Sequence, residues 1–152
     1  LLLAAVNRHD RVCRKLIDAG AKVDLYVASA LNMVSEVRTF IDDGIEVDAP
    51  DQFGRTALHR AIQGDAIEVV RFLLDRGADP ERSADFFSYG PRALHIAAQA
   101  GASREIIELL IASGVDLNGS SNLGTPLECA LRENQDETAV VLKEFGAEPE
   151  EK

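Results

Sequence analysis

Histidine, cysteine and bunched carboxylates are the side chains that most often carry chemistry, so their spacing is the first thing to weigh. His9, His59 and His95 lie far apart along the chain, with no HExxH or similar pairing, so no zinc site is expected. Cys13 and Cys129 belong to no CxxC or Cys/His cluster and read as two buried, reduced thiols of a cytosolic protein. Cys129 has no neighbouring histidine to activate it as a nucleophile. Asp42, Asp43, Asp48 and Asp51 crowd one stretch and could hold a cation, but solvated turn residues are the preferred reading. The serines stand in no GxSxG elbow, and no Walker or Rossmann phosphate loop is present. Hence no catalytic, cofactor-binding or metal-binding residue is assigned, and the chain is not read as an enzyme.

The elements that carry these residues follow from composition and repetition. The chain has 152 residues, 46% hydrophobic and 28% charged, a globular balance. Its formal net charge of −10 repels phosphate backbones, which argues against nucleic acid and allows a basic partner. No apolar run approaches the roughly 18 residues of a membrane span. Leu1-Leu2-Leu3 is too short for a signal segment, and without an initiator Met the sequence reads as a piece of a longer one.

One phrase recurs: two apolar residues, two spacers, Gly, then a small or apolar residue. It appears at Leu16–Ala21, Phe40–Ile45, Leu73–Ala78 and Leu110–Val115, and more loosely at Val141–Ala147. Successive glycines (Gly20, Gly44, Gly77, Gly114, Gly146) are 24, 33, 37 and 32 residues apart. A second phrase keeps time with it: Gly54-Arg55-Thr56-Ala57-Leu58-His59-Arg60-Ala61, Gly90-Pro91-Arg92-Ala93-Leu94-His95-Ile96-Ala97 and Gly124-Thr125-Pro126-Leu127-Glu128-Cys129-Ala130.

These phrases resemble the ankyrin signature Thr-Pro-Leu-His-x-Ala, repeated about every 33 residues. The resemblance spans Leu1 to about Pro149. It implies an all-α ankyrin-repeat solenoid of about five stacked helix-turn-helix units with short β-hairpin loops, in one domain over 1–152. The units fall near 1–24, 25–48, 49–80, 81–118 and 119–149. His59 and His95 then tie adjacent hairpins together rather than act in catalysis. The residues agree with this architecture. Thr56 is placed to cap an inner helix near 57–63, Gly64-Asp65 turns the chain, and an outer helix near 67–75 carries Val69, Val70, Leu73 and Leu74 at helical spacing. Gly54, Gly90 and Gly124 are expected to need positive φ in their hairpins.

The pattern has departures. The second unit is short, so either Asp24 caps its inner helix directly or a loop belongs between Asp24 and Leu25. The fourth unit gains residues around Ser83–Tyr89, including the aromatics Phe86, Phe87 and Tyr89, which are candidates for binding or for packing back on the stack. The fifth, with its polar outer helix, looks like a cap.

The resemblance implies a protein-interaction module that binds another protein through its concave face and hairpin tips. The candidate residues are Phe53, Arg55, Gln63, Phe86, Phe87, Tyr89, Gln99, Leu123 and Arg132, with Asn7 among further inner-helix positions. Phe53, Tyr89 and Leu123 hold equivalent places before the hairpin glycine and are expected to form an exposed apolar row. The alternative is an acidic inhibitor or immunity-type protein that blocks a basic enzyme. Self-association through Leu1, Leu2, Leu3 and Val6 is the remaining possibility.

Overall fold

A computed structural model describes residues 1–85 and 89–149. Ten helices are present among the described residues: α1 Leu2–Val6, α2 Asp10–Asp18, α3 Leu25–Ala30, α4 Val34–Asp42, α5 Ala57–Gly64, α6 Ile67–Asp75, α7 Ala93–Ala100, α8 Arg104–Ala112, α9 Pro126–Arg132 and α10 Asp136–Glu144. They pair along the chain and stack. α3, α5, α7 and α9 pack in an inner row, with α4, α6, α8 and α10 behind them. The helices are too short to be stable alone. Each buries an apolar stripe between its neighbours: Leu58, Ile62, Val69, Val70, Leu73, Ile106, Ile107 and Leu110 are fully enclosed.

Caps fix where the inner helices start. Thr56 and His59 exchange hydrogen bonds in a capping box at α5, and Thr125 and Glu128 do so at α9. The Asp24 carboxylate accepts from Val27 N at 2.8 Å, so the short second unit needs no hairpin to begin α3. Between inner and outer helices the chain turns through one left-handed residue each time: Arg8, Asn32, Asp65, Gly101 and Asn134, all with φ between 57 and 59°. Asn and Asp tolerate this conformation. Two of them also stitch the stack, since Asn32 Oδ1 accepts from Val69 N at 3.1 Å and Asp65 Oδ1 from Ser103 N at 2.8 Å.

The hairpins are reduced to turns. Ser121 and Gly124 form an isolated antiparallel bridge; elsewhere Asp51 N donates to Arg55 O at 2.8 Å and Ala84 N to Pro91 O at 2.7 Å. Gly54 and Gly124 have positive φ (83° and 84°), but Gly90 does not. Glycine suits position 90 for a different reason: a Cβ there would fall on the Asp85 carboxylate.

Small residues set the closest approach. A Cβ on Gly64 would overlap the carbonyl oxygen of Ala30, so α5 lies almost directly against the end of α3. Gly64→Ala should therefore cost about 1–3 kcal/mol through forced backbone movement, although helix propensity alone would gain roughly 1 kcal/mol. A thermal melt decides between the two, because a raised Tm would mean that the contact is slack.

The first helix pair sits differently. α1 touches α5 as well as α3, and Arg8 reaches Asp65 at 3.9 Å and the Ala100 carbonyl at 3.5 Å. α1 thus leans over the inner row. Its Ala5 packs with Cys13 and Ala30 in a small second cluster, against which Leu1 and Val6 are partly buried.

Candidate protein-binding surface

The surface is built on the turn that leads into α5. Asp51 Oδ1 accepts from Phe53 N (2.8 Å) and Arg55 N (3.1 Å), which folds the loop back on itself. Its Oδ2 receives Arg60 Nε at 2.8 Å and also Arg60 Nη2. Asp51 and Arg60 are 8% and 6% exposed, so this is a buried ion pair. That corrects the expectation that Asp51 is a solvated turn residue: the sequence shows a carboxylate among carboxylates, and only folding brings Arg60 onto it. Asp42 pairs with Arg76 at 2.8 Å and Asp48 accepts from Asp79 N at 3.2 Å, so these two also serve neighbouring units. Among the described residues no group of His, Cys, Asp and Glu is arranged to hold a metal ion.

Arg60 carries the order onward. Its Nη1 donates to Gln63 Oε1 at 3.0 Å, and its guanidinium lies 5.7 Å from the centre of the Phe53 ring. Phe53 is nonetheless 58% exposed, and Tyr89 on the next hairpin is 59% exposed. Tyr89 is held by its backbone, whose carbonyl accepts from Asn122 N at 3.0 Å. Leu123 breaks the expected row, because it is half-buried and packs on the core. Its carbonyl is tied down by Arg132 Nη1 at 2.9 Å, which leaves exposed Arg132 bound to its own hairpin. Phe86 and Phe87 lie outside the described residues.

Arg55, Gln63 and Gln99 come together. With Val6, Asn7, Arg8, Ile96 and Ala100 they line a hollow of about 400 Å³ on the inner-helix side. A second hollow of about 860 Å³ adjoins it, sharing Arg55 and Gln63 and adding Phe53, Arg60, Pro91 and the leucines of α1. The leaning of α1 puts Arg8 here, and Arg60 enters through Asp51; sequence reading placed neither residue at the site. Arg55 Nη1 is buried without a hydrogen-bond partner. Burial, with the Arg60 charge adding, holds the Arg55 guanidinium below its ordinary pKa, while Asp51 and Asp85 partly compensate.

His59 and His95 sit in the turns that start α5 and α7. His59 Nδ1 accepts from Thr56 N at 3.1 Å, and His95 Nδ1 from Arg92 N at 3.3 Å. The ring proton therefore sits on Nε2, which in His95 donates across to the Gly124 carbonyl of the next hairpin at 3.1 Å. Burial, reinforced by Arg55, lowers the His59 pKa to about 3; burial also lowers that of His95. Cys129 is buried, which raises its thiol pKa and keeps it protonated.

Stacked helix pairs with turns projecting from one edge and a hollow along the inner row define a helical-repeat solenoid, a class that binds along its concave side. The sequence matches the family model for ankyrin repeats (3 copies) over residues 1–84 and 82–152, and the chain belongs to that family. It is 34% identical over 120 residues to an ankyrin repeat, SAM and basic leucine zipper domain-containing protein 1 of Dasypus novemcinctus, covering 76% of this chain and 24% of that protein. It is 37% identical over 112 residues to the transient receptor potential cation channel subfamily A member 1 of Homo sapiens, covering 71% of this chain and 10% of the channel. The chain thus spans a quarter or less of these relatives. Ankyrin repeats are in general protein–protein interaction modules and a non-enzymatic fold. No helix among the described residues is long and apolar enough to cross a membrane.

Proposed function

We propose that this chain binds another protein through its concave face and hairpin tips, as a non-catalytic module of the cytoplasm. The observation that carries the reading is the exposure of two large aromatic rings, Phe53 and Tyr89, on successive hairpins, with Phe53 lining a hollow that shares Arg55 and Gln63 with the one reached by Gln99. Exposed aromatics next to polar donors are the composition of interface hot spots. Phe86, Phe87, Leu123 and Arg132 complete the proposed contact set. Leu3, 75% exposed, is the apolar residue through which a second copy of the chain would meet the N-terminal pair.

Affinity capture with the wild-type chain and a Phe53→Ser/Tyr89→Ser variant tests the reading, followed by titration of the purified partner. Loss of one or both rings should weaken binding at least tenfold, since a hot-spot residue is worth about 2 kcal/mol or more. Equal affinity for both proteins would move the site off the hairpin tips. Salt separates the inhibitor reading, suggested by the net charge of −10. A partner held by charge weakens steeply with ionic strength, and an aromatic contact does not. The charged lining of the two hollows, Arg8, Arg55 and Arg60 against Asp85, gives no support to an acidic plug at this face.

A further inference from the structure

The lining of the smaller hollow is donor-rich. Arg55 makes no side-chain hydrogen bond or ion pair among the described residues, and its Nη1 is shut off from water. The enclosed Nη1 does not face the hollow, so the donors that Arg55 can offer a group there are Nε and Nη2, which carry no hydrogen bond among the described residues. Gln63 Oε1 accepts from Arg60 Nη1 at 3.0 Å and makes no bond to Arg55. Its NH2 group carries no hydrogen bond among the described residues and is available as a donor. Arg8, which meets Asp65 only at 3.9 Å, adds a second positive charge at the rim.

We infer that this hollow is a carboxylate site, and that its occupant is an acidic side chain of the partner polypeptide, received by Arg55 with Gln63 as a second donor. A carboxylate, like a phosphate, matches the planar fork of Arg. The surroundings select a polypeptide over a free ion. Val6 and Ile96 line the same hollow, and Leu2, Phe53 and Pro91 line the adjoining one. Apolar walls offer nothing to a free inorganic anion, but they suit the neighbours of a Glu or Asp flanked by apolar residues. The inference rests on the concave-face reading and specifies the chemistry of what binds there. It also places a locally basic site on a chain whose net charge is −10.

The test uses the whole 15N-labelled chain and three probes: the peptide acetyl-Leu-Glu-Leu-amide, its Gln counterpart, and inorganic phosphate. The Glu peptide should shift the Arg55 Nε–Hε and Gln63 side-chain amide signals saturably at millimolar concentration. The Gln peptide should bind at least tenfold more weakly, and phosphate should not saturate. Arg55→Met should abolish the response, and Arg55→Lys should retain only part of it. Arg55→Met should also leave Tm unchanged or raised, because it removes a half-buried cation whose Nη1 has no hydrogen-bond partner; a clear fall would make Arg55 a structural residue and overturn the proposal. Equal binding of Glu and Gln peptides, or wild-type binding by Arg55→Met, would likewise overturn it, and saturation by phosphate would assign the site to a free anion instead. If the peptides fail while capture of a partner still depends on Phe53 and Tyr89, the module binds by its tips alone and only the carboxylate site is lost.

Discussion

Asp51→Ala should destabilise the chain by about 3–5 kcal/mol, the cost of leaving a buried charge without its partner. Arg60, 6% exposed, would lose its anion, and the N–H groups of Phe53 and Arg55 would lose their acceptor. For a chain of this size that corresponds to a fall in Tm of roughly 6–20 °C. A second substitution separates the two contributions. In Asp51→Ala/Arg60→Leu neither member of the ion pair is left alone, so part of the loss should return, and what remains measures the hairpin hydrogen bonds together with the changed surroundings of Arg55. Arg60→Leu alone should cost less than Asp51→Ala, because Asp51 keeps both backbone donors. Urea unfolding of the three variants checks the order. A loss below about 1 kcal/mol for Asp51→Ala would show that Asp51 and Arg60 behave as a surface ion pair and not as a buried one.

Acid should weaken the fold well before the carboxylates titrate. His59 has a folded pKa of about 3, against an ordinary value of 6.5 in the unfolded chain. Between those two values the unfolded state binds a proton that the folded state refuses, so stability falls as pH falls. The full stability is present above about pH 6.5, and the loss accumulates downward at about 1.4 kcal/mol per pH unit. By pH 3 it would approach about 5 kcal/mol for this residue, of the same order as the stability of a whole domain. His95, whose pKa is also lowered, adds in the same direction. The cause lies in the geometry. Each Nδ1 faces a backbone N–H, so a second ring proton would point at a donor, and in His59 burial and Arg55 oppose the charge besides. Urea midpoints measured from pH 8 to pH 4 should decline from about pH 6.5. In His59→Gln the slope should flatten whatever the absolute stability of that variant. A wild-type midpoint that stays level down to pH 5 would mean that the rings accept protons in the folded state.

The two effects have a common origin. Asp51 closes one hairpin onto Arg60 of the helix that follows, and His59 closes the capping box of that same helix. Arg55 lies between them and lines both hollows. The segment that organises the candidate site thus also carries the two residues for which the largest losses of stability are expected.

Much of the fold was legible in the sequence, for a physical reason. A repeat architecture depends on contacts between near neighbours in the chain, so the signals that specify it are short and recur. Thr56, the 67–75 helix and Gly77 with its positive φ stand where local propensity puts them. Asp24 resolved its own ambiguity by capping α3. The exposed rings of Phe53 and Tyr89 were equally readable, because a hairpin position before the glycine has few neighbours to cover it.

What tertiary structure alone decided concerns residues whose partners come from another turn or unit. Leu123 shares the register of Phe53 and Tyr89, yet its side chain packs on the core and its carbonyl accepts from Arg132 Nη1. A Cβ at Gly90 would meet the Asp85 carboxylate, while its φ is not in the left-handed region. Asp51 is buried because Arg60 meets it, and Arg8 reaches the hollow because α1 leans across α5. Helix starts, turns and apolar stripes are set within a few residues, where the sequence alone determines them. The burial of a charge and the lining of a groove depend on what the next layer brings, and that is fixed only when the layers close.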